Sequence, residues 1–129
     1  MPTVLVVEDN SDNMVLITRV LEKAGYQSVQ ADSGEAGVER FLEMVNMGQP
    51  PDFVIMDIQL PGISGLEATR KIRESGGNGT IPIIAVTSYA LKGDRERAEQ
   101  SGCTGYIEKP FNPVTLVDEL RTIIEKRKK

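Results

Sequence analysis

The chain has 129 residues, 40% of them hydrophobic, with a formal net charge of −4, one cysteine and no histidine. That length and apolar content suit one folded domain over residues 1–129, and the acidic balance argues against a sequence-independent hold on nucleic acid, which needs clustered Lys and Arg. A lone Cys103 excludes an internal disulfide and a cysteine-rich zinc site, while the missing histidine removes the usual general base and the Ser-His-Asp and Cys-His arrangements.

Taken in order, "TVLVVE" at 3–8 reads as a first strand, and Met14, Ile17, Leu21 and Ala24 give a helical stripe ended by Gly25. "QSVQA" at 27–31 is polar enough for an edge strand, followed by a helix with the stripe Val38, Phe41, Leu42 and Val45. "DFVIM" at 52–56 is a nearly continuous apolar run, as expected of a central strand covered on both faces. Ser64 and Glu67 then have capping-box spacing before a third helix. "SGGNGT" at 75–80 carries the chain toward "IPIIAV" at 81–86, and "TGYIE" at 104–108 is the last strand. Asn112-Pro113 supplies an N-cap and an N1 proline for a final helix whose inner face is Leu116, Leu120, Ile123 and Ile124.

Strands alternating with helices predict a doubly wound α/β domain around a parallel sheet. No run approaches the roughly 18–20 apolar residues of a membrane span. Met1 leads directly into the first strand, so a natural N-terminus and a cytoplasmic protein are expected. The basic tail from Lys126 to Lys129 reads as a solvated helix end.

In an open parallel sheet, ligands bind beyond the carboxyl ends of the strands. Those ends carry Glu8 and Asp9 after the first strand, Asp57 after the third, Thr87 and Ser88 after the fourth, and Lys109 after the fifth. One Asp behind a strand is commonly a turn former or an N-cap. Three acids and a lysine meeting at one edge are not explained by turns. Adjacent first and third strands, about 4.8 Å apart, would crowd the carboxylates and raise their pKa values unless a cation intervened. An oxygen-only cluster suits Mg²⁺ or Mn²⁺. A nucleophilic carboxylate, a divalent cation, an ammonium and a hydroxyl are the parts needed to accept a phosphoryl group.

The pieces "VLVVEDN", "VIMDIQLPGISGLEATRKIR", "IIAVTSYALKGD" and "GYIEKPF", in this order over essentially the whole chain, resemble the receiver domain of two-component response regulators. Stand-alone regulators and the receiver modules of hybrid sensor kinases are the most similar kinds. The resemblance implies a flavodoxin-like (βα)5 fold with strand order 2-1-3-4-5 and Asp57 as phosphoacceptor. It further implies Mg²⁺ held by Glu8, Asp9, Asp57 and the backbone carbonyl of Gln59, with Lys109 and Thr87 on phosphoryl oxygens. Thr87 and Tyr106 would form the switch that remodels the face of the fourth helix, fifth strand and fifth helix, and the Lys109-Pro110 bond would be cis.

Gln59 and Tyr89 stand at the two positions that tune loss of the phosphoryl group in such domains; neither is an acid, so slow self-dephosphorylation is expected. The phosphoryl donor would be a histidine kinase or a histidine phosphotransfer protein, and the output a downstream protein contact or onward transfer, with no direct DNA binding. The expected state is a monomer, dimeric at most when phosphorylated. The domain would be no enzyme beyond its own self-phosphorylation and self-dephosphorylation chemistry. A phosphorylation-independent binding module is a competing reading, although no site position is lost. A haloacid-dehalogenase-type phosphatase is another, although it needs a second Asp where Gln59 stands.

Overall fold

The computed structural model describes residues 2–75, 81–87, 93–109 and 112–128. Five strands, β1 (Thr3–Val7), β2 (Gln27–Ala31), β3 (Phe53–Asp57), β4 (Ile83–Thr87) and β5 (Gly105–Glu108), alternate with five helices. The helices are α1 (Ser11–Lys23), α2 (Gly34–Asn46), α3 (Gly65–Glu74), α4 (Asp94–Gln100) and α5 (Leu116–Lys128). All strand pairs are parallel, in the order β2-β1-β3-β4-β5, as the sequence predicts.

Because side chains alternate along a strand, each apolar run feeds two cores. Val4, Val6, Phe53, Ile55, Ile84 and Val86 pack under α1 and α5 with Ile17, Leu21, Leu116 and Leu120. Leu5, Val7, Val54, Met56, Ile83 and Ala85 pack under the other three helices with Phe41, Ala68, Ile72 and Ala98. Every residue of β3 and β4 is buried, whereas β2 at the edge is largely half-buried or exposed. Each fully buried Val or Ile contributes roughly 1.5–3 kcal/mol against its exposed state.

Local chemistry sets the ends of the helices. Asn10 Oδ1 accepts from Asn13 N at 2.9 Å, Ser33 Oγ from Ala36 N at 3.1 Å, and Ser64 Oγ from Glu67 N at 3.2 Å, satisfying donors that the first helical turn leaves open. Gly25 follows α1 with φ of +92°, the left-handed conformation expected past a helix end.

Two expectations shift. In α2, Phe41 is buried and Val38 and Val45 pack against the same core as expected, but Gly34 and Gly37 take the other buried places and Leu42 is 37% exposed. A Cβ on Gly37 would lie 2.8 Å from Val7 Cγ2, so the glycine lets the helix backbone press onto β1 and turns Leu42 outward. At the other end of the chain, α5 begins at Leu116 instead of at the proline. Asn112 Oδ1 accepts from Val114 N at 2.9 Å, and Leu116 N donates to the Asn112 carbonyl at 2.9 Å, so residues 113–115 form a turn that leads into the helix. The linker at 76–80, Ser88, Tyr89 and the expected cis bond at Pro110 lie outside the described residues.

Candidate functional site

The register brings the two acidic strand ends together. β1 pairs with β3 from Val4 opposite Phe53 to Val7 opposite Met56, so Glu8 and Asp57 leave the sheet side by side. Glu8 N donates to the Ala31 carbonyl at 3.0 Å and Ile58 N to the Val86 carbonyl at 2.9 Å, extending the ladder past both acids. Glu8 and Asp57 are each 1% exposed, while Asp9 is open to solvent.

Each buried acid divides its two oxygens in the same way. Asp57 Oδ1 accepts from Gln59 N at 3.0 Å, closing a turn two residues on, and Asp57 Oδ2 accepts from Lys109 Nζ at 3.0 Å. Glu8 Oε2 accepts from Asn10 N at 3.2 Å, and Glu8 Oε1 is ion-paired with Lys109 Nζ at 2.8 Å. Asp57 is therefore a turn former and a site residue at once. Lys109 is held by its own backbone, whose N–H donates to the Thr87 carbonyl at 2.7 Å.

One ammonium between two buried carboxylates leaves negative charge in excess. Burial, and then the neighbouring Glu8, push the Asp57 carboxyl up to about 7, against the lowering influence of Lys109. Burial pulls Lys109 down, but Glu8 and Asp57 outweigh it and the ammonium ends above its usual range. Glu8, Asp9 and Asp57 each present an oxygen within 4.8 Å of the others. Glu8 Oε1 is buried, and among the described residues the Lys109 ammonium at 2.8 Å is the one polar group that meets it. An oxygen-only donor set with an under-coordinated buried carboxylate oxygen fits a hard divalent cation.

Thr87, fully buried at the end of β4, donates its hydroxyl to Gln59 Oε1 at 2.9 Å. Gln59 is expected from the sequence to hold metal through its backbone carbonyl and to tune phosphoryl loss; its side-chain contact with Thr87 is an addition that no spacing rule signals. Gly65 was missed. A Cβ there would overlap the Asp57 carbonyl oxygen, so only glycine lets α3 start this close behind the acid, and Gly65 N donates to the Ile58 carbonyl at 3.0 Å. Tyr106 sits on β5 opposite Ala85, away from the acids, with the Arg95 guanidinium 5.5 Å from its ring centroid. Tyr89 is outside the described residues.

The family profile described as "Response regulator receiver domain" matches residues 4–121. The polar-differentiation response regulator DivK of Brucella ovis is 38% identical over 124 residues, covering 95% of this chain and 95% of that protein. Hybrid signal transduction histidine kinase I of Dictyostelium discoideum is 45% identical over 123 residues, which are 94% of this chain and 7% of that protein. Among solved structures, chemotaxis protein CheY4 of Vibrio cholerae superposes with a TM-score of 0.85 at 26% identity, covering 95% of this chain and 98% of that one. A response regulator receiver domain protein from Clostridium thermocellum gives 0.84 at 26% identity, covering 99% and 98%.

Proposed function

The chain belongs to the response regulator receiver domain family, and on that premise we propose that Asp57 is the residue that accepts the phosphoryl group. Membership implies a histidine kinase partner. These 129 residues include no histidine, so the phosphohistidine comes from a sensor kinase or a histidine phosphotransfer protein. A carboxylate oxygen of Asp57 attacks the phosphorus, a P–O bond forms as the P–N bond breaks, and the electron pair stays on the imidazole nitrogen, which takes a proton from water.

The observation that carries the reading is the buried Asp57 carboxylate, 3.0 Å from the Lys109 ammonium and within 4.8 Å of two further acids. Glu8, Asp9, Asp57 and the Gln59 backbone carbonyl would hold Mg²⁺, with Mn²⁺ able to replace it; when bound, the cation neutralises the crowded carboxylate and phosphoryl oxygens. Lys109 moves from the carboxylate to a phosphoryl oxygen. The Thr87 hydroxyl, given to Gln59 in the unphosphorylated chain, becomes the second donor.

Phosphorylation replaces a single charge by roughly two and adds strong acceptor oxygens, which biases Thr87 and then Tyr106 toward a second arrangement of the face formed by α4, β5 and α5. The output is a protein contact or onward transfer in the cytoplasm, without direct DNA contact, by a monomer that at most pairs when phosphorylated. Gln59 and Tyr89 offer no acid to activate water, so the phosphoryl group is lost slowly.

Incubation with Mg²⁺ and acetyl phosphate, followed by intact mass, tests the reading. One phosphoryl adduct, absent in Asp57→Asn and absent after chelation, is the expected result. Repeated turnover of phosphate esters would instead indicate a phosphatase, and no adduct at all a phosphorylation-independent module.

A further inference from the structure

A groove runs along β5 between α4 and α5. Its main cavity, about 510 Å³, has Tyr106, Ile107 and Ile123 among its lining residues, with Glu108, Asp118 and Glu119 supplying carboxylates. A second cavity of about 270 Å³ continues toward Ala98 and Lys126. Arg95, Tyr106 and Ile123 line both, so the Arg95 guanidinium over the Tyr106 ring stands on the boundary between them. β5 and α5 approach closely beneath it, since a Cβ on Gly105 would overlap the Ile123 side chain.

Charge is unequal here. Among the described residues, three carboxylates line the main cavity against one guanidinium; none of the three makes a close ion pair, although Arg121, on α5 outside the cavity, acts on Asp118 through space. The one cation is spent on an aromatic face, a contact worth about 0.5–1 kcal/mol when exposed. A guanidinium or ammonium from outside could take the same face and also meet the carboxylates.

We propose that this groove docks a partner-protein segment that presents a lysine or arginine beside an apolar side chain, and that Arg95 occupies that cation's seat until the partner arrives. The apolar side chain fills the floor at Ile107 and Ile123. The partner's cation displaces Arg95 from Tyr106 and gains Asp118 and Glu119, joining the two cavities into one longer groove. The inference deepens the proposed function by naming the chemistry of the partner for this face. Its test uses the unphosphorylated chain, so it stands or falls separately from Asp57.

The probe is a short synthetic leucine–lysine amphipathic peptide, with a leucine–glutamate peptide as its counterpart, and the readout is the methyl chemical shifts of Ile107 and Ile123 during titration. The lysine peptide should shift both methyls and the glutamate peptide neither. Arg95→Ala should bind roughly two- to five-fold more tightly, while Arg19→Ala, the same charge change on exposed α1, should not. The double variant Asp118→Asn/Glu119→Gln should weaken binding several-fold, and Glu22→Gln/Glu43→Gln should leave it unchanged. Absent methyl shifts, an Arg95→Ala protein that binds no more tightly, or equal weakening by both double variants would overturn the proposal. All of these variants keep Asp57, Lys109 and Thr87, so acetyl phosphate uptake measured alongside separates a failed groove from a failed acceptor.

Discussion

The body of the sheet and its carboxyl edge are built by the same strands under opposite rules. In the body, Val54, Ile55 and Met56 bury apolar surface in two cores and every neighbour reinforces the next. One residue later, Asp57 is equally buried, but its neighbours are a second buried acid and a single shared ammonium. Stability comes from the body. The edge gives some of it up to keep a carboxylate poised and incompletely neutralised.

Substitutions should separate these two regions. Ile55→Ala removes a fully packed side chain from the first core and should cost about 2–5 kcal/mol in chemical denaturation, while leaving acetyl phosphate uptake intact under native conditions. A variant that lost uptake while still folded would blur the boundary.

The next effect is smaller and of opposite sign. The folded-state pKa of Asp57 is raised to about 7 from 3.8, so between these values the folded chain keeps a proton that the unfolded chain releases. Stability from this group is therefore greatest at the acid end of that window and falls as pH rises to about 7. Asp57→Asn removes this loss. Without added metal, the variant should match the wild type near pH 4 and exceed it by up to a few kcal/mol at pH 8, measured as the difference between paired denaturation curves. Mg²⁺ should narrow the gap at pH 8 by stabilising the wild type. A gap that does not change with pH would mean that the edge carries no such cost.

The smallest effect concerns the link between the two regions. Thr87→Val keeps the shape but removes the hydroxyl given to Gln59, and should cost about 0.5–1.5 kcal/mol by thermal denaturation. A much larger loss would assign Thr87 to the body.

The body and the acids of the edge were legible because their signals are local. Runs of Val and Ile mark covered strands, and a carboxylate closing such a run marks the sheet edge, so Glu8, Asp9, Asp57, Thr87 and Lys109 could be named from order alone. What stayed hidden depends on close approach between distant segments. Leu42 follows a helical stripe in sequence, yet Gly37 against Val7 turns it outward. Gly65 reads as one more loop glycine until the Asp57 carbonyl is placed against it. The Gln59 side chain meets Thr87 across 28 residues, a contact fixed by the pairing of β3 with β4. The start of α5 moved for a local reason, because Asn112 closes a turn before the helix is established.

The central claim is that Asp57 carries the phosphoryl group. Acyl phosphates are reduced by borohydride to the alcohol, so treating the phosphorylated chain with borohydride and sequencing its peptides by mass locates the acceptor. Homoserine at position 57, and at no other acid, is the expected result. Homoserine in place of Asp9, 5-hydroxynorvaline in place of Glu8, or an Asp57 left unreduced in a chain that carried the adduct, would contradict it.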